Sequence, residues 1–432
     1  MNYEQIKAMA KDEGLKVTDL LALAPGNDPF YVGRDGDVQN GQWFAGLWEK
    51  FLYTTGVHIR RVHYQIISQS PPVLMPNGEP YENTEECWNF INTASKAARY
   101  LHLVDVGAFV DRRNPSPQIY RYFSGGEEPS VSVTNPADWM SAGLPPFPEL
   151  PNYQLYNFEA QQRYHLEIWC EKSTMNDVLI PLCERYGINL VTGVGEMSIT
   201  AVLQLANRFQ AGVPVRIFYI SDFDPAGQSM PVAVARKLEH MQRNEGYEAD
   251  VRLFPIVLTA RQVEEFDLPR TPIKASERRA GKFEERHGAG AVELDALEAL
   301  HPGVLDSIIR RWIRRYWDSE LRGRVVDARY KYLAELDSIR AGVLSPFASD
   351  VEALRKEYEA LGAEIEVRLQ NFAVRLSALW SDIQDELELE AQDAPPPAVP
   401  LAAEASEAAG ALYNSELDYM EQLYLYKSFQ GR

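Results

Sequence analysis

The sequence predicts an α/β protein built on a mostly parallel sheet and followed by a long α-helical hairpin. Apolar segments rich in β-branched and aromatic residues, at 165–170, 213–220 and 251–258, are typical of buried strands. Helix-like segments lie between them, and strands that alternate with helices in this way pair in parallel with both faces covered. After residue 318, apolar residues recur every three or four positions, which indicates long helices.

The elements between these strands follow from the same periodicity. Helices are predicted at 176–186, 198–209 and 228–243. A short strand is predicted at 188–192, and the turn Gly193-Val-Gly195 follows it. Together these elements form one βαβ series.

Acidic residues follow two of the predicted strands. Asp222 and Asp224 come after 213–220, and because they are two residues apart on an extended backbone, their side chains point the same way. Like charges this close repel each other unless a cation lies between them, and hard oxygen ligands favour Mg²⁺. Glu171 follows another strand. One acid at a strand end is more often a helix cap or a solvated turn residue, but three acids in one βαβ series favour a shared ligand site.

These motifs resemble a toprim domain, the acidic fold of topoisomerases, primases and some nucleases. The sequence Asp222-Phe-Asp224-Pro-Ala-Gly and the loop Gly193-Val-Gly195 are most similar to topoisomerase VI A subunits, which are relatives of the meiotic double-strand-break proteins. The resemblance covers roughly residues 43–318. It implies that Glu171, Asp222 and Asp224 bind Mg²⁺ and that Glu171 takes part in catalysis.

The same family carries a tyrosine on a winged-helix domain that precedes the toprim domain. Here Arg60 comes four residues before Tyr64, and on a helix that spacing places both on one face. A nearby cation favours the phenolate and can hold a phosphate, as a tyrosine nucleophile requires. The chain has 22 tyrosines, and most tyrosines on amphipathic helices only pack or lie on the surface. The resemblance to the family nevertheless implies that Tyr64 is the nucleophile and that Arg60 binds a phosphate oxygen.

The chain also departs from topoisomerase VI. It contains no ATPase module and no Gly-x-x-x-x-Gly-Lys-Ser/Thr motif, and in this organisation it resembles the stand-alone "Mini-A" proteins. His63 stands where an aromatic residue often precedes the tyrosine. The segments 269–274 and 292–297 resemble family elements more loosely, and a Pro-rich loop followed by a capped helix explains them equally well.

Charge limits the partners of the protein. The net charge of −19 argues against indiscriminate binding of polyanions. Local basic patches are present at 58–63, 112–113, 270–287 and 310–315. As contacts to DNA phosphates, the expected residues are Arg61, Lys96, Arg99 and Lys172. The resemblance further implies a homodimer, in which the tyrosine of one protomer works with the metal site of the other.

The predicted organisation has six segments. They are a leader (1–40), a winged-helix-like domain with the tyrosine (41–134), a linker (135–151), the toprim domain (152–318), a helical hairpin or coiled coil (319–391), and a linker with a C-terminal tail (392–432). The hairpin is expected to turn at Leu344-Ser-Pro346 and to offer a surface to a protein partner. Its apolar seam consists of Val351, Leu354, Tyr358, Leu361, Ile365, Leu369, Phe372, Leu376, Leu379, Ile383 and Leu387.

The remaining features predict a cytoplasmic protein that is not in a membrane. No apolar run approaches the ~20 residues of a membrane span. The first residues lack the basic flank and apolar core of a signal peptide. The three cysteines have no metal-ligand spacing and suit a reducing compartment.

Three hypotheses for function remain from the sequence. The first is a topoisomerase VI A-like enzyme that cleaves DNA with a tyrosine nucleophile and Mg²⁺. The second is a toprim nuclease of a mobile element or defence system, in which metal-activated water attacks and Tyr64 is only structural. The third is a DNA-binding or assembly protein without catalytic activity.

Overall fold

The protein is described by a computed structural model that covers residues 1–110, 116–121, 128–139, 146–193, 195, 197–275, 277–361 and 367–431. The chain divides into two units. The first consists of Met1–Phe123, Tyr164–Trp317 and Ala405–Arg432, and the second of Ser124–Arg163 and Asp318–Glu404.

Helices make up most of the regular structure. Within the described residues, the α-helices are α1 (Tyr3–Asp12), α2 (Asp35–Lys50), α3 (Ile59–Ile67), α4 (Glu85–Tyr100), α5 (Asn176–Tyr186), α6 (Ile199–Ala206), α7 (Pro225–Asn244), α8 (Ala260–Glu265), α9 (Ala280–His287), α10 (Leu294–Leu300), α11 (Val304–Tyr316), α12 (Leu321–Leu361), α13 (Val367–Asp393) and α14 (Tyr419–Gln430). The strands are β1 (Ser130–Thr134), β2 (Asn152–Tyr156), β3 (His165–Cys170), β4 (Asn189–Thr192), β5 (Val215–Ile220), β6 (Val251–Val257) and β7 (Tyr413–Asn414).

The first unit is built on a five-stranded sheet in the order β4-β3-β5-β6-β7. The first four strands are parallel, and β7 pairs antiparallel with β6 at the edge. Every residue of β3, β4 and β5 is buried, because helices cover both faces of the sheet. The predicted mixed α/β architecture with a mostly parallel sheet is confirmed.

The two faces of the sheet carry separate cores, because side chains alternate along each strand. On one face, Ile168 and Phe218 lie in a cluster with residues of α5 and α11. On the other face, Trp169 and Tyr219 lie in a cluster with residues of α6, α7 and α14. Each large apolar side chain buried in this way contributes about 1.5–3 kcal/mol. The sheet is therefore a rigid platform for the loops at its edge.

The predicted leader and most of the predicted tail belong to the first unit. Arg236 of α7 is fully buried and joins the two ends of the chain. Its guanidinium donates to Asp28 (3.0 Å), to Glu239 (2.8 Å) and to the hydroxyl of Tyr419 (2.9 Å). Residues 1–40 and 405–432 thus belong to the unit that contains the large sheet, and the tail includes α14, whereas residues 392–404 belong to the second unit. The sequence did not reveal this, because the contacts join positions about 200 residues apart.

The second unit packs α12 and α13 with the two-stranded sheet β1-β2. Trp380 is fully buried there and donates its Nε1–H to the carbonyl of Glu149 (2.9 Å). The hydroxyl of Tyr153 donates to the carbonyl of Leu387 (3.2 Å). The predicted domain boundary at 151/152 is therefore wrong, because residues 152–163 pack with the helical hairpin and not with the large sheet.

The predicted turn of the hairpin at Leu344-Ser-Pro346 is also wrong. α12 continues through Pro346 to Leu361, and residues 362–366, between α12 and α13, are outside the described part of the chain. A proline inside a helix removes one hydrogen bond and costs ~3 kcal/mol. The neighbouring Leu344 and Phe347 pack against the core of this unit and offset that cost.

The hairpin seam is covered within the second unit. Its members Val351, Tyr358, Phe372, Leu376, Ile383 and Leu387 are buried there, and Leu354 and Leu379 are partly buried. The side chains of the other three, Leu361, Ile365 and Leu369, lie outside the described part. The described seam is therefore core and does not form the exposed surface that a partner would need.

Helices α2, α3 and α4 surround an apolar core that includes Phe44, Val62 and Ile91. Residues 104–110 form no strand, and an isolated bridge joins Phe109 to Val57. The basic pair 112–113 lies outside the described residues. This region is thus a small helical module in the first unit.

Candidate functional site

The acidic residues lie at one edge of the large sheet. β3 and β5 are neighbours in parallel register, with Cys170 opposite Ile220. Glu171 and Asp222 follow these strand ends, so the two carboxylates meet, as the sequence predicts. The carboxyl end of a parallel sheet is where open α/β folds bind their ligands.

Glu171 is held in an unusual state for a carboxylate. It is only 7% exposed. Its Oε1 accepts the backbone N–H of Asp222 (2.9 Å), whereas its Oε2 is buried without a hydrogen-bond partner among the described atoms. Burial raises the pKa of Glu171 to about 8, and the charges of Asp222 and Asp224 act in the same direction. Burial therefore favours the protonated form of this carboxyl when no metal ion is bound.

Asp222 lies at the centre of the site. Its Oδ1 accepts the backbone N–H of Leu294 (2.6 Å), and its Oδ2 lies 2.8 Å from Nζ of Lys172. Burial raises the pKa of Asp222, although Lys172 and the N–H of Leu294 oppose this rise. Asp222 is thus bound on both oxygens, one by a neutral donor and one by a cation.

Asp224 has a second role as the N-cap of α7. Its Oδ1 accepts the N–H of Gly227 (2.5 Å), and it is partly exposed toward the site. A Cβ atom at Gly227 would lie 2.1 Å from the carbonyl oxygen of Asp222, so only glycine fits there. The Asp-x-Asp-Pro-x-Gly motif therefore makes a tight turn that holds both carboxylates at the start of α7.

Two further acids belong to this site and were not among its predicted members. Nζ of Lys172 contacts Glu293 and lies 3.1 Å from Asp295. Two backbone hydrogen bonds of 2.9 Å between Phe223 and Val292 hold this segment against the turn. Burial lowers the pKa of Lys172. The contacts with Asp222, Glu293 and Asp295 outweigh this effect and raise the pKa of Lys172 above its ordinary value. The only signal in the sequence was the loosely matched segment 292–297.

These residues border a cavity of about 410 Å³, here named the acidic cleft. Its lining includes Glu171, Lys172, Gly193, Asp222, Asp224 and Asp295. The predicted glycine turn at 193–195 therefore lies beside the acids, although Val194 is outside the described residues. The cleft has room for a ligand in front of the carboxylates.

The described residues contain no group of three or more His, Cys, Asp and Glu side chains that could hold a metal ion as they stand. The ammonium of Lys172 lies against Asp222 instead. The orphaned Oε2 of Glu171, with the oxygens of Asp222 and Asp224, is nevertheless a donor set of the kind that Mg²⁺ prefers. The residues fit Mg²⁺ in their chemistry once Lys172 moves away from Asp222.

The four residues predicted to contact DNA phosphates differ in burial and in their partners. Arg99 is 7% exposed, and its guanidinium donates to the carbonyl of Val106 (2.8 Å) and to Oγ1 of Thr200 (3.2 Å). That prediction is wrong, because position 99 falls on the buried face of α4. Lys96 is partly exposed, with Nζ 3.4 Å from the carbonyl of Gly26, and Arg61 is exposed. Lys172 binds carboxylates in the acidic cleft.

Tyr64 lies on α3 and is 60% exposed. Its ring contacts the ring of His63 edge-on at 5.3 Å, and His63 is itself fixed by the hydroxyl of Tyr81 (2.7 Å). Arg60 is exposed on the same helix. Tyr64 is not among the described residues that line the acidic cleft. Within one chain, the two predicted parts of the site are not brought together.

Comparison with known proteins adds no assignment. No protein-family model matches the chain, and no curated protein matches it. In the part of the chain that the structure describes, none of the helices has the length and apolar character needed to cross a membrane.

Proposed function

We propose that the protein is an Mg²⁺-dependent enzyme that cleaves DNA strands at the acidic cleft. One observation carries the proposal. Glu171 is a buried carboxyl with an unpaired oxygen, and it faces Asp222 across the ends of two neighbouring strands. In folded proteins, a buried polar atom rarely lacks a hydrogen-bond partner. Carboxylates with raised pKa values in a cleft are typical of functional sites.

The residues of the cleft have distinct roles in this proposal. Glu171, Asp222 and Asp224 hold Mg²⁺, which when bound supplies positive charge against the phosphate oxygens. Lys172, released from Asp222, donates to a phosphate oxygen as a mobile cation. Gly227 keeps the turn tight, so that both aspartates stay at the start of α7. The order of the parallel strands and the place of the acids support a toprim assignment.

The attacking group in this proposal is the phenol of Tyr64, supplied to the cleft by a second copy of the chain. Its exposure and the exposed Arg60 on the same helix support this role. The phenol loses its proton, its oxygen forms a bond to phosphorus, and the sugar oxygen leaves and takes up a proton. The product is a tyrosyl–DNA linkage, as in topoisomerase VI A-like enzymes.

Hydrolysis by water is the second candidate. It is favoured by the fact that the acids and Lys172 are assembled within one chain, whereas Tyr64 does not line the cleft. In this case the phosphodiester is cut by water, and the ends carry no protein. Tyr64 then has only a structural role.

Incubation with Mg²⁺ and end-labelled plasmid tests the proposal and separates the candidates. For the tyrosine mechanism, we expect protein-linked DNA ends from wild type and neither cleavage nor linkage from Tyr64→Phe. Tyr330→Phe is the matched control, because Tyr330 is also an exposed tyrosine but lies on α12. Cleavage by Tyr64→Phe with protein-free ends supports hydrolysis. Absence of cleavage under all metal conditions contradicts both.

A further inference from the structure

A second pocket lies beside the start of α7 and differs in charge from the acidic cleft. It has a volume of about 110 Å³. We name it the basic pocket and define it by six of its lining residues, Ser229, Arg279, Lys282, Phe283, Arg286 and Phe429. It brings three cationic side chains together in a protein whose net charge is −19.

Helix α9 contributes four residues to the lining of this pocket, including Lys282, Phe283 and Arg286. Phe283 is buried on its inner face, and its ring lies 5.2 Å from the ring of Phe223, next to Asp222. Lys282 and Arg286 are exposed. The segment is therefore anchored by an aromatic contact to the turn that carries the catalytic acids.

The arginines of the basic pocket are oriented by neighbouring groups. Arg279 is paired with Glu277 (2.7 Å) and also donates to the hydroxyl of Ser229. Arg286 donates to the backbone carbonyl of Phe429 (2.7 Å) at the end of α14. These contacts hold both guanidinium groups at the pocket, where they contribute positive charge. Lys282 makes no hydrogen bond or ion pair with the described residues.

His287 adds no charge to this surface at neutral pH. Its ring packs on Phe283 at 4.9 Å and on Phe223 at 5.0 Å. Burial lowers the pKa of His287, and the charges of Arg286 and Arg270 lower it further. The positive charge of the pocket therefore comes from Arg279, Lys282 and Arg286.

The basic pocket and the acidic cleft share one turn. Pro225 lines the pocket, whereas the adjacent Asp224 and Ala226 line the cleft. The cleft itself would repel a polyanion, because the charged residues of its lining are four acids and one lysine. A strand that reaches the cleft needs positive contacts close by, and phosphate contacts by Lys and Arg dominate the affinity of proteins for DNA.

We propose that the basic pocket binds a backbone phosphate of the DNA strand that enters the acidic cleft, with Lys282 as the principal contact and Arg286 and Arg279 beside it. This inference rests on the proposed function. The pocket positions the strand and takes no part in the bond change.

The test is the affinity of the full chain for a labelled DNA duplex, measured by fluorescence anisotropy over a range of salt concentrations. We expect Lys282→Gln to weaken binding several-fold and to reduce the slope of log K against log[salt] by about 0.9, the value for one phosphate contact. Lys7→Gln is the control, because it removes the same charge from an exposed side chain on α1, outside the pocket. Lys7→Gln should leave the affinity for DNA and the slope against log[salt] close to those of wild type.

The outcomes distinguish this inference from the proposed function. If wild type cleaves DNA but Lys282→Gln binds with unchanged affinity and slope, the basic pocket is not a phosphate site. If wild type binds DNA without cleaving it and Lys282→Gln still weakens binding, the phosphate site stands and the proposed function fails. If a mononucleotide binds in a Lys282-dependent way while duplex affinity is unaffected, the pocket serves a free nucleotide and the inference is overturned.

Discussion

Replacing Glu171 by Gln should change how the stability of the metal-free protein depends on pH. Gln keeps the shape of the side chain and an oxygen for the N–H of Asp222, but it cannot ionise. In wild type, burial raises the pKa of Glu171 from 4.5 to about 8. The folded state therefore holds this proton more tightly than the unfolded state, and stability falls as pH rises between these two values.

The magnitude follows from the rise of the pKa. Each tenfold change in proton affinity is worth about 1.4 kcal/mol, so a rise from 4.5 to about 8 makes the loss for wild type a few kcal/mol above pH 8. Glu171→Gln lacks this loss. We expect the variant to be more stable than wild type by several kcal/mol at pH 8.5 and to differ much less at pH 5.

Urea denaturation in EDTA at pH 5 and pH 8.5 measures this difference. Mg²⁺ at about 100 times its Kd should restore about 2.7 kcal/mol to wild type at pH 8.5 and much less to Glu171→Gln. Glu49→Gln is the control, because Glu49 is an exposed acid on α2. The reasoning is refuted if wild type and Glu171→Gln lose the same stability between the two pH values.

Three further predictions concern the stability of the two units. Gly227→Ala should lower the free energy of unfolding by about 1–3 kcal/mol and abolish cleavage, because the new Cβ overlaps the carbonyl of Asp222. Gly342→Ala on α12 is the control and should be tolerated, because its Cβ meets no atom within 4 Å. Arg208→Met should cost about 3–5 kcal/mol in urea denaturation, because it leaves the fully buried Glu167 without the guanidinium that donates to both its oxygens at 2.8 Å; an effect below 1 kcal/mol would contradict this. Trp380→Ala should destabilise the second unit by about 3–5 kcal/mol, measured by thermal unfolding, and an unchanged melting curve would show that its core lies elsewhere.

The sheet and its acids could be predicted because the signals are local. β3 is the predicted segment 165–170, and α5 has the predicted bounds 176–186. Continuous apolar runs in buried parallel strands, and carboxylates directly after them, are visible within a few residues of sequence. That is sufficient to place Glu171 and Asp222 at one edge of the sheet.

The rest depends on contacts between distant parts of the chain. The place of Glu293 follows from the pairing of Phe223 with Val292, and β7 joins the sheet from the C-terminal segment with only two residues. Arg99 looked like a surface cation, but its burial is set by Val106 and Thr200. Periodicity carries no information on such partners.

Mg²⁺-dependent plasmid cleavage by Asp222→Asn tests the central claim most directly, namely that the acidic cleft is the catalytic site. Asn keeps the shape and the acceptor for the N–H of Leu294, but it removes the charge that faces Lys172. Asp337→Asn, an exposed site on α12, serves as the matched control. We expect Asp222→Asn to stay folded and to lose cleavage at every Mg²⁺ concentration, while Asp337→Asn cleaves like wild type. Cleavage by Asp222→Asn at the wild-type rate would contradict the assignment of the acidic cleft as the catalytic site.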